Sequence, residues 1–341
     1  MSTSAPPAER AARAVLAGTR WSVLDRALIR QGRPAAEALR EAVDFARDVE
    51  ELGYHRFWVA EHHAVPGVAG AAPTVLAAAV AAATSRIRVG TGGVMLPNHR
   101  PLVVAEQFGV LAALHPGRID MGLGRSVGFT EAVRRALGAD RSAMAGFADQ
   151  LTELLDYFAG RGPVRAVPAE GLDVPAFVLA TDTGADLAAE LGLPLVLAAG
   201  ADRDRTRATA ARYRAAFRGD RPYLVLGVNV AVGATTAAAR RLQLPEAWAV
   251  VHSRTRGDFP PLRPPAEISA DLAAGTPTER ERRYLDEALA GQLAGTEAEV
   301  AAALAELVTA TGADEVLVSL ATHDRAQQLD SYRRLAHAVG L

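Results

Sequence analysis

The chain has 341 residues, half of them hydrophobic, and its 37 basic residues nearly balance 39 acidic ones for a net charge of −2. Cysteine and lysine are both absent, so every base is arginine. These two zeros exclude thiolate nucleophiles, cysteine-held metals, disulfides, lysine Schiff bases and the lysine-dependent P-loop. The balanced charge, with no basic stripe, argues against nucleic acid as a partner.

Residues 1–19 are rich in Ala, Arg, Pro and Ser and lack the apolar run of a secretory signal. They predict a disordered N-terminal extension ahead of a single domain over residues 20–341. A first strand is expected at 21–25. A helix then starts at Pro34, with Leu39, Ala42, Val43, Ala46, Val49 and Leu52 on one face and Gly53 closing it. Strands follow at 56–60, 87–95 and 118–123, alternating with helices at 73–83 and 101–114. Gly92 and Gly93 lie inside the third strand, where the backbone can bulge. The apolar stretch 71–83 is too short to span a bilayer, so a cytoplasmic protein without membrane contact is expected.

After a polar loop, a helix is expected at 143–158. Strands at 175–180, 194–198, 223–232 and 315–320 then alternate with helices at 186–191, 203–217, 235–242 and 325–339. Eight strand–helix units predict an α/β fold, a TIM (β/α)8 barrel, with a doubly wound open sheet as the alternative. Residues 252–277 are rich in Pro and Arg and carry no period. They form an insertion between strands 7 and 8 and a candidate lid loop. Helices at 279–290 and 296–311 follow it, the second opening on Thr296 and Glu299 at capping-box spacing.

In a TIM barrel the chemistry collects at the C-terminal strand ends. Two of those ends carry more polarity than a turn needs. Glu61, His62 and His63 follow an apolar strand, so an imidazole there can exchange protons near neutral pH; a pair of turn histidines bonded to backbone is the competing reading. A metal is disfavoured, because no second ligand follows at helical spacing as in His-Glu-x-x-His. Gly122, Gly124 and Arg125 form the second end. Glycines let a ligand approach the backbone, and Arg125 can grip a phosphate or carboxylate with two N–H groups. The competing reading is a plain turn with a solvated arginine. The glycine spacing does not fit the dinucleotide fingerprint G-x-G-x-x-G.

The ordered series EHH (61–63), LPNHRP (96–101), EQF (106–108), PGRID (116–120) and LGR (123–125) resembles the bacterial luciferase-like flavin monooxygenases. It is most similar to the branch of the mensacarcin-pathway oxygenase. The resemblance runs from Trp21 to Leu341 and implies a TIM barrel with FMN at its C-terminal face. Reduced FMN (FMNH2) would come from a separate NAD(P)H-dependent flavin reductase, and O2, through a flavin C4a-peroxide, would oxidise a small organic or natural-product substrate.

By the same resemblance His62 matches the catalytic histidine. Gly92 and Gly93 match a position where relatives often carry a non-proline cis peptide under the flavin. Gly124, Arg125 and Ser126, together with Thr181, Asp182, Thr183 and Gly184, would hold the cofactor. Asp25, Arg26, Glu61, His63, Ala199 and Gly200 are candidates for the substrate pocket. A homodimer is implied. Two alternatives accompany this reading: an F420-dependent oxidoreductase, and a non-catalytic partner subunit whose flavin site is thinned by Ala180 and Gly184.

Overall fold

A computed structural model describes residues 7–341. The first element is a helix, α1 (Pro7–Ala17), which corrects the expectation of a disordered extension over 1–19. Ala, Arg and Glu are strong helix formers, and the helix has an apolar side. Leu16 is only 2% exposed, and its carbonyl accepts the indole N–H of Trp21 at 3.2 Å. Residues 1–6, the rest of that expected extension, lie outside the described residues.

The chain continues as β1 (Arg20–Asp25), α2 (Ala35–Glu51), β2 (Arg56–Val59), α3 (Pro73–Ala83), β3 (Arg88–Thr91), β4 (Val94–Met95), α4 (Pro101–Leu114) and β5 (Ile119–Gly124). The expected strand at 87–95 is therefore two strands, parted by a cis Gly92–Gly93 peptide. A Cβ on Gly93 would lie 2.8 Å from the Gly122 carbonyl oxygen. Only glycine permits that approach of two backbones. The polar loop that follows holds a short helix, α5 (Glu131–Leu137), capped by the Thr130 hydroxyl, before α6 (Phe147–Phe158).

The second half runs β6 (Ala176–Ala180), α7 (Gly184–Glu190), β7 (Leu195–Ala198), α8 (Arg203–Ala216), β8 (Leu224–Val232) and α9 (Thr236–Arg256). Then come α10 (Pro265–Ala273), α11 (Glu279–Ala290), β9 (Leu293–Gly295), α12 (Glu297–Thr311), β10 (Glu315–Ser319) and α13 (Arg325–Val339). The strand order β10-β1-β2-β3-β5-β6-β7-β8 is parallel throughout, and pairing of β10 with β8 closes it. This is the eight-stranded barrel that the alternation predicts, and the open-sheet alternative falls. β4 pairs with the end of β5, and β9 with the end of β8, both parallel. Among the described residues no helix is long and apolar enough to cross a membrane.

The insertion between the seventh and eighth barrel strands is present, but 252–277 is not an irregular lid loop. α9 continues through Pro245 to Arg256, and α10 opens with Pro265 at its first turn. Proline is well tolerated at that first-turn position, where its missing N–H costs nothing; its density in sequence therefore does not mark a loop here. Backbone bonds tie the connecting residues down: the Leu262 N–H donates to Ile29 and the Gly67 N–H to Phe259, both at 2.8 Å.

Inside the barrel, Trp58, Phe177, Val196, Val225 and Leu317 pack as an apolar plug. Below it, at the N-terminal end, lies a layer of paired charges. Arg56 bonds Asp120 at 2.6 Å and Glu315 at 3.1 Å, and Arg88 bonds Asp120 at 2.6 Å. Trp58 and Tyr223 donate to the same carboxylates at 3.3 and 2.6 Å. The plug and this layer close the bottom, so a ligand can enter only from the C-terminal mouth.

Candidate active site

The parallel strands deliver their C-terminal ends to one mouth, where a cavity of about 530 Å3 opens. Its walls include Glu61, His62, His63, Gly92, Gly93, Gly124, Arg125, Ser126 and Thr181. Four separated stretches that the sequence singled out thus meet in one place. Between the polar groups the wall is apolar, from Leu24, Val65, Met95, Leu179, Val196 and Leu317. A volume of a few hundred Å3 with few polar groups on apolar walls is typical of small-molecule sites.

His62 follows β2 on a turn anchored by its own N–H, which donates to the Gly70 carbonyl at 2.9 Å. Its Nδ1 is buried without a protein partner. Burial, reinforced by the charge of Arg26, pushes its pKa down to about 4. The ring is therefore neutral at pH 7, with one nitrogen free for a ligand. Two residues on, Ala64 takes a left-handed φ of 51°, a conformation that few non-glycine residues adopt.

Glu61 turns away from His62 and is fully buried. One carboxylate oxygen lies within hydrogen-bond reach of Nε2 of His63 at 2.5 Å and of Nε2 of His99 at 2.8 Å; the other accepts the Met95 N–H at 2.9 Å. Burial alone would raise its pKa, but these three hydrogen bonds outweigh it and hold the carboxyl below its ordinary value. His99 is the residue that sequence reasoning missed. It lies 36 positions beyond His63, and no spacing rule connects them; its place inside LPNHRP was the only signal. These three residues also form the one group of potential metal ligands among the described residues, their donor atoms within 4.8 Å of one another.

Arg125 stands exposed at the rim after β5 and makes no ion pair among the described residues. Across the mouth, Thr181 follows β6. Asp182, Thr183 and Gly184 continue into α7 and do not line the cavity. The Asp182 carboxylate is bound instead by Arg205 and Arg212 of α8, at 2.7 and 2.8 Å, and these bonds lower its pKa.

Four expected pocket residues stand outside this cavity. Asp25 accepts the Ala27 N–H, and Arg26 forms an ion pair with Glu246 of α9. Both line a separate small cavity between β1 and β10, because the turn after β1 carries them outward. Ala199 and Gly200 lie past the end of β7, where Gly200 packs on Gly291. Ala198 and Gly227 take their place in the wall.

Residues 19–315 match the luciferase-like monooxygenase family. A luciferase-like monooxygenase of Escherichia coli K12 is 38% identical over 324 residues, which cover 92% of this chain and 94% of that protein. The solved structure of apo-MsnO8 superposes with a TM-score of 0.82 at 33% identity, covering 95% of this chain and 99% of the other. The oxygenating constituent of 3,6-diketocamphane monooxygenase from Pseudomonas putida, solved with FMN, shares the fold at a TM-score of 0.71 and 16% identity, over 93% and 96% of the two chains. The barrel, the mouth and the extent of these matches agree: this chain belongs to the luciferase-like monooxygenase family.

Proposed function

We propose that the protein is an FMNH2-dependent monooxygenase that oxidises a small, largely apolar organic substrate. The observation that carries this is the meeting of an unpaired Arg125 and an orphaned His62 nitrogen on one cavity with apolar walls. These features fit a flavin mononucleotide. Arg125 supplies the cation for its phosphate. At Gly124 and Gly227 even an added Cβ would have no neighbour closer than 3.9 and 3.7 Å, which leaves room for a flat ring. Thr181 adds a hydroxyl at the phosphate side. When bound, reduced flavin supplies the two electrons that activate oxygen.

The protein's part is to hold, shield and protonate. The apolar walls exclude water from the reacting centre and bind the hydrocarbon part of the substrate. Neutral His62 offers one hydrogen bond beside the ring. The joint presence of His62 and Arg125 also counts against a non-catalytic partner subunit.

Reduced flavin would come from an NAD(P)H-dependent reductase, which places the protein in the cytoplasm. A homodimer belongs to the same reading. α3 and α4 pack side by side and expose Val75, Val103, Val110 and Leu114, an apolar surface suited to a second copy.

Anaerobic titration with reduced FMN tests the cofactor. Trp58 lies beneath Gly92, so its fluorescence is expected to fall in a saturable way. Saturation by F420 alone would replace monooxygenation with hydride transfer. Saturation by neither cofactor would overturn the reading.

A further inference from the structure

A second cavity, of about 780 Å3, opens beside the first on the outer side of the segment 97–100. His99 lines it, together with Asn98, Arg134, Asp140 and Gln150. Both polar side-chain atoms of Asn98 and Oε1 of Gln150 are buried there without a protein partner. Such atoms are satisfied by ordered water. His63 lines the reaction cavity, and the carboxylate of Glu61 stands between the two rings with no exposure of its own.

From this juxtaposition we propose that His99, Glu61 and His63 form a proton path from the second, water-accessible cavity into the reaction cavity. The function rests on the monooxygenase reading. Reduced flavin anion, O2 and substrate consume one proton to give oxidised flavin, oxygenated substrate and water, so each turnover must import a proton. His62 is neutral at pH 7, so it has no surplus proton to give.

The path moves one proton and breaks only N–H and O–H bonds. His99, protonated from water, gives its Nε2 proton to Oε1 of Glu61. Oε1 passes it to Nε2 of His63, which in the Nδ1–H tautomer carries no proton there, while His63 releases its Nδ1 proton into the reaction cavity; a tautomer shift of each ring then resets the path. Nδ1 of both rings makes no hydrogen bond among the described residues, so each is free for this exchange.

The contact lengths favour this role over a metal. Donors around a shared tetrahedral metal at about 2.0–2.1 Å stand about 3.3 Å apart. Here both imidazole nitrogens approach one oxygen at 2.5 and 2.8 Å, which are hydrogen-bond separations. The charged groups that face His99 across this cavity are Arg100, Glu131, Arg134, Arg135 and Asp140.

Two variants, Glu61→Gln and His99→Ala, test the path by three measurements. The first is affinity for reduced FMN, expected to be unchanged in both. The second is reoxidation of bound reduced FMN by oxygen, which also takes up a proton; both variants are expected to slow it by roughly tenfold or more. Added imidazole, entering through the second cavity, restores His99→Ala but not Glu61→Gln. The third uses no flavin: NMR of the histidine ring nitrogens, with the Nε2 signals of His63 and His99 reporting one shared hydrogen-bond partner in the wild type and shifting together in Glu61→Gln.

Reoxidation at the wild-type rate in either variant would overturn the proposal. So would a loss in His99→Ala that imidazole cannot rescue, or Nε2 signals that do not respond to Glu61→Gln. If the wild type fails to bind reduced FMN, the cofactor reading has failed instead, and the NMR measurement alone decides the path.

Discussion

The two ends of the barrel each bury a carboxylate between two basic side chains, but with different bases. At the floor, Asp120 lies between Arg56 and Arg88. At the mouth, Glu61 lies between His63 and His99. Arginine never releases its proton at working pH, so the floor is a permanent network. Burial opposes the charge on Arg56, but Glu315 and Asp120 overcome it and raise its pKa further. An imidazole ring offers one nitrogen that donates and one that accepts, which a guanidinium does not. The floor also satisfies its carboxylates, through Trp58, Tyr223 and Ser22. The mouth leaves His62 Nδ1 and Arg125 without protein partners.

The contrast breaks most visibly at the floor. Asp120→Asn strips Arg56 and Arg88 of a shared partner and leaves buried positive charge uncompensated. A loss of about 3–5 kcal/mol is expected, a large share of a typical domain's stability and readable as a lowered urea midpoint. A floor variant of wild-type stability would show that the network is not structural.

At the mouth the same kind of change should cost function and not stability. His62→Ala is expected to slow turnover by roughly 10²–10⁴-fold while leaving reduced-FMN affinity and the urea midpoint nearly unchanged. Turnover at the wild-type rate would remove His62 from the chemistry. Arg125→Ala should act one step earlier. Losing hydrogen bonds to a charged group costs about 1.5–3 kcal/mol, so the dissociation constant for flavin should rise by roughly one to two orders of magnitude. An unaltered constant would refute the phosphate role.

The mildest test sets the two ends side by side in acid. His55 at the floor and His62 at the mouth are each pushed down to about 4 from an ordinary 6.5, by burial first and then by Arg56 and Arg26 respectively. The folded pKa is the lower one, so protons favour the unfolded chain. The stabilisation is present above about pH 6.5 and is lost as pH falls toward 4. Between pH 7 and pH 6 each histidine should cost under ~1 kcal/mol. His55→Gln and His62→Gln should each flatten the urea midpoint against pH. A profile unchanged in both would mean that neither histidine is held neutral by burial.

How much was legible in sequence follows from what each feature depends on. Helices α3, α4 and α13 match their expected bounds because proline, leucine spacing and capping act locally. α1 and α10 were hidden for the opposite reason. A segment rich in Ala, Arg and Pro is read as unstructured until one sees that Leu16 and Ile268 are buried by what packs on them. The pocket candidates divide in the same way. Glu61, His62, His63 and Arg125 reach the cavity because they directly follow strands pointing into the mouth. Asp25 and Arg26 also stand at a strand end, yet the turn at Ala27 (φ 49°) takes the Asp25 carboxylate and pairs Arg26 with Glu246, away from the cavity.

The sequence by itself determined the barrel, its eight-fold alternation and the family. These rest on local periodicity and on motifs contiguous along the chain. Tertiary structure decided which residues touch. It brought His99 to Glu61 across 38 positions, gave Asp182 to Arg205 and Arg212, and left His62 and Arg125 unpaired. Closure of the barrel is the physical reason. It places ends that are remote in the chain within hydrogen-bond reach, and pairing at that range follows from the geometry of the ring, not from spacing along the chain.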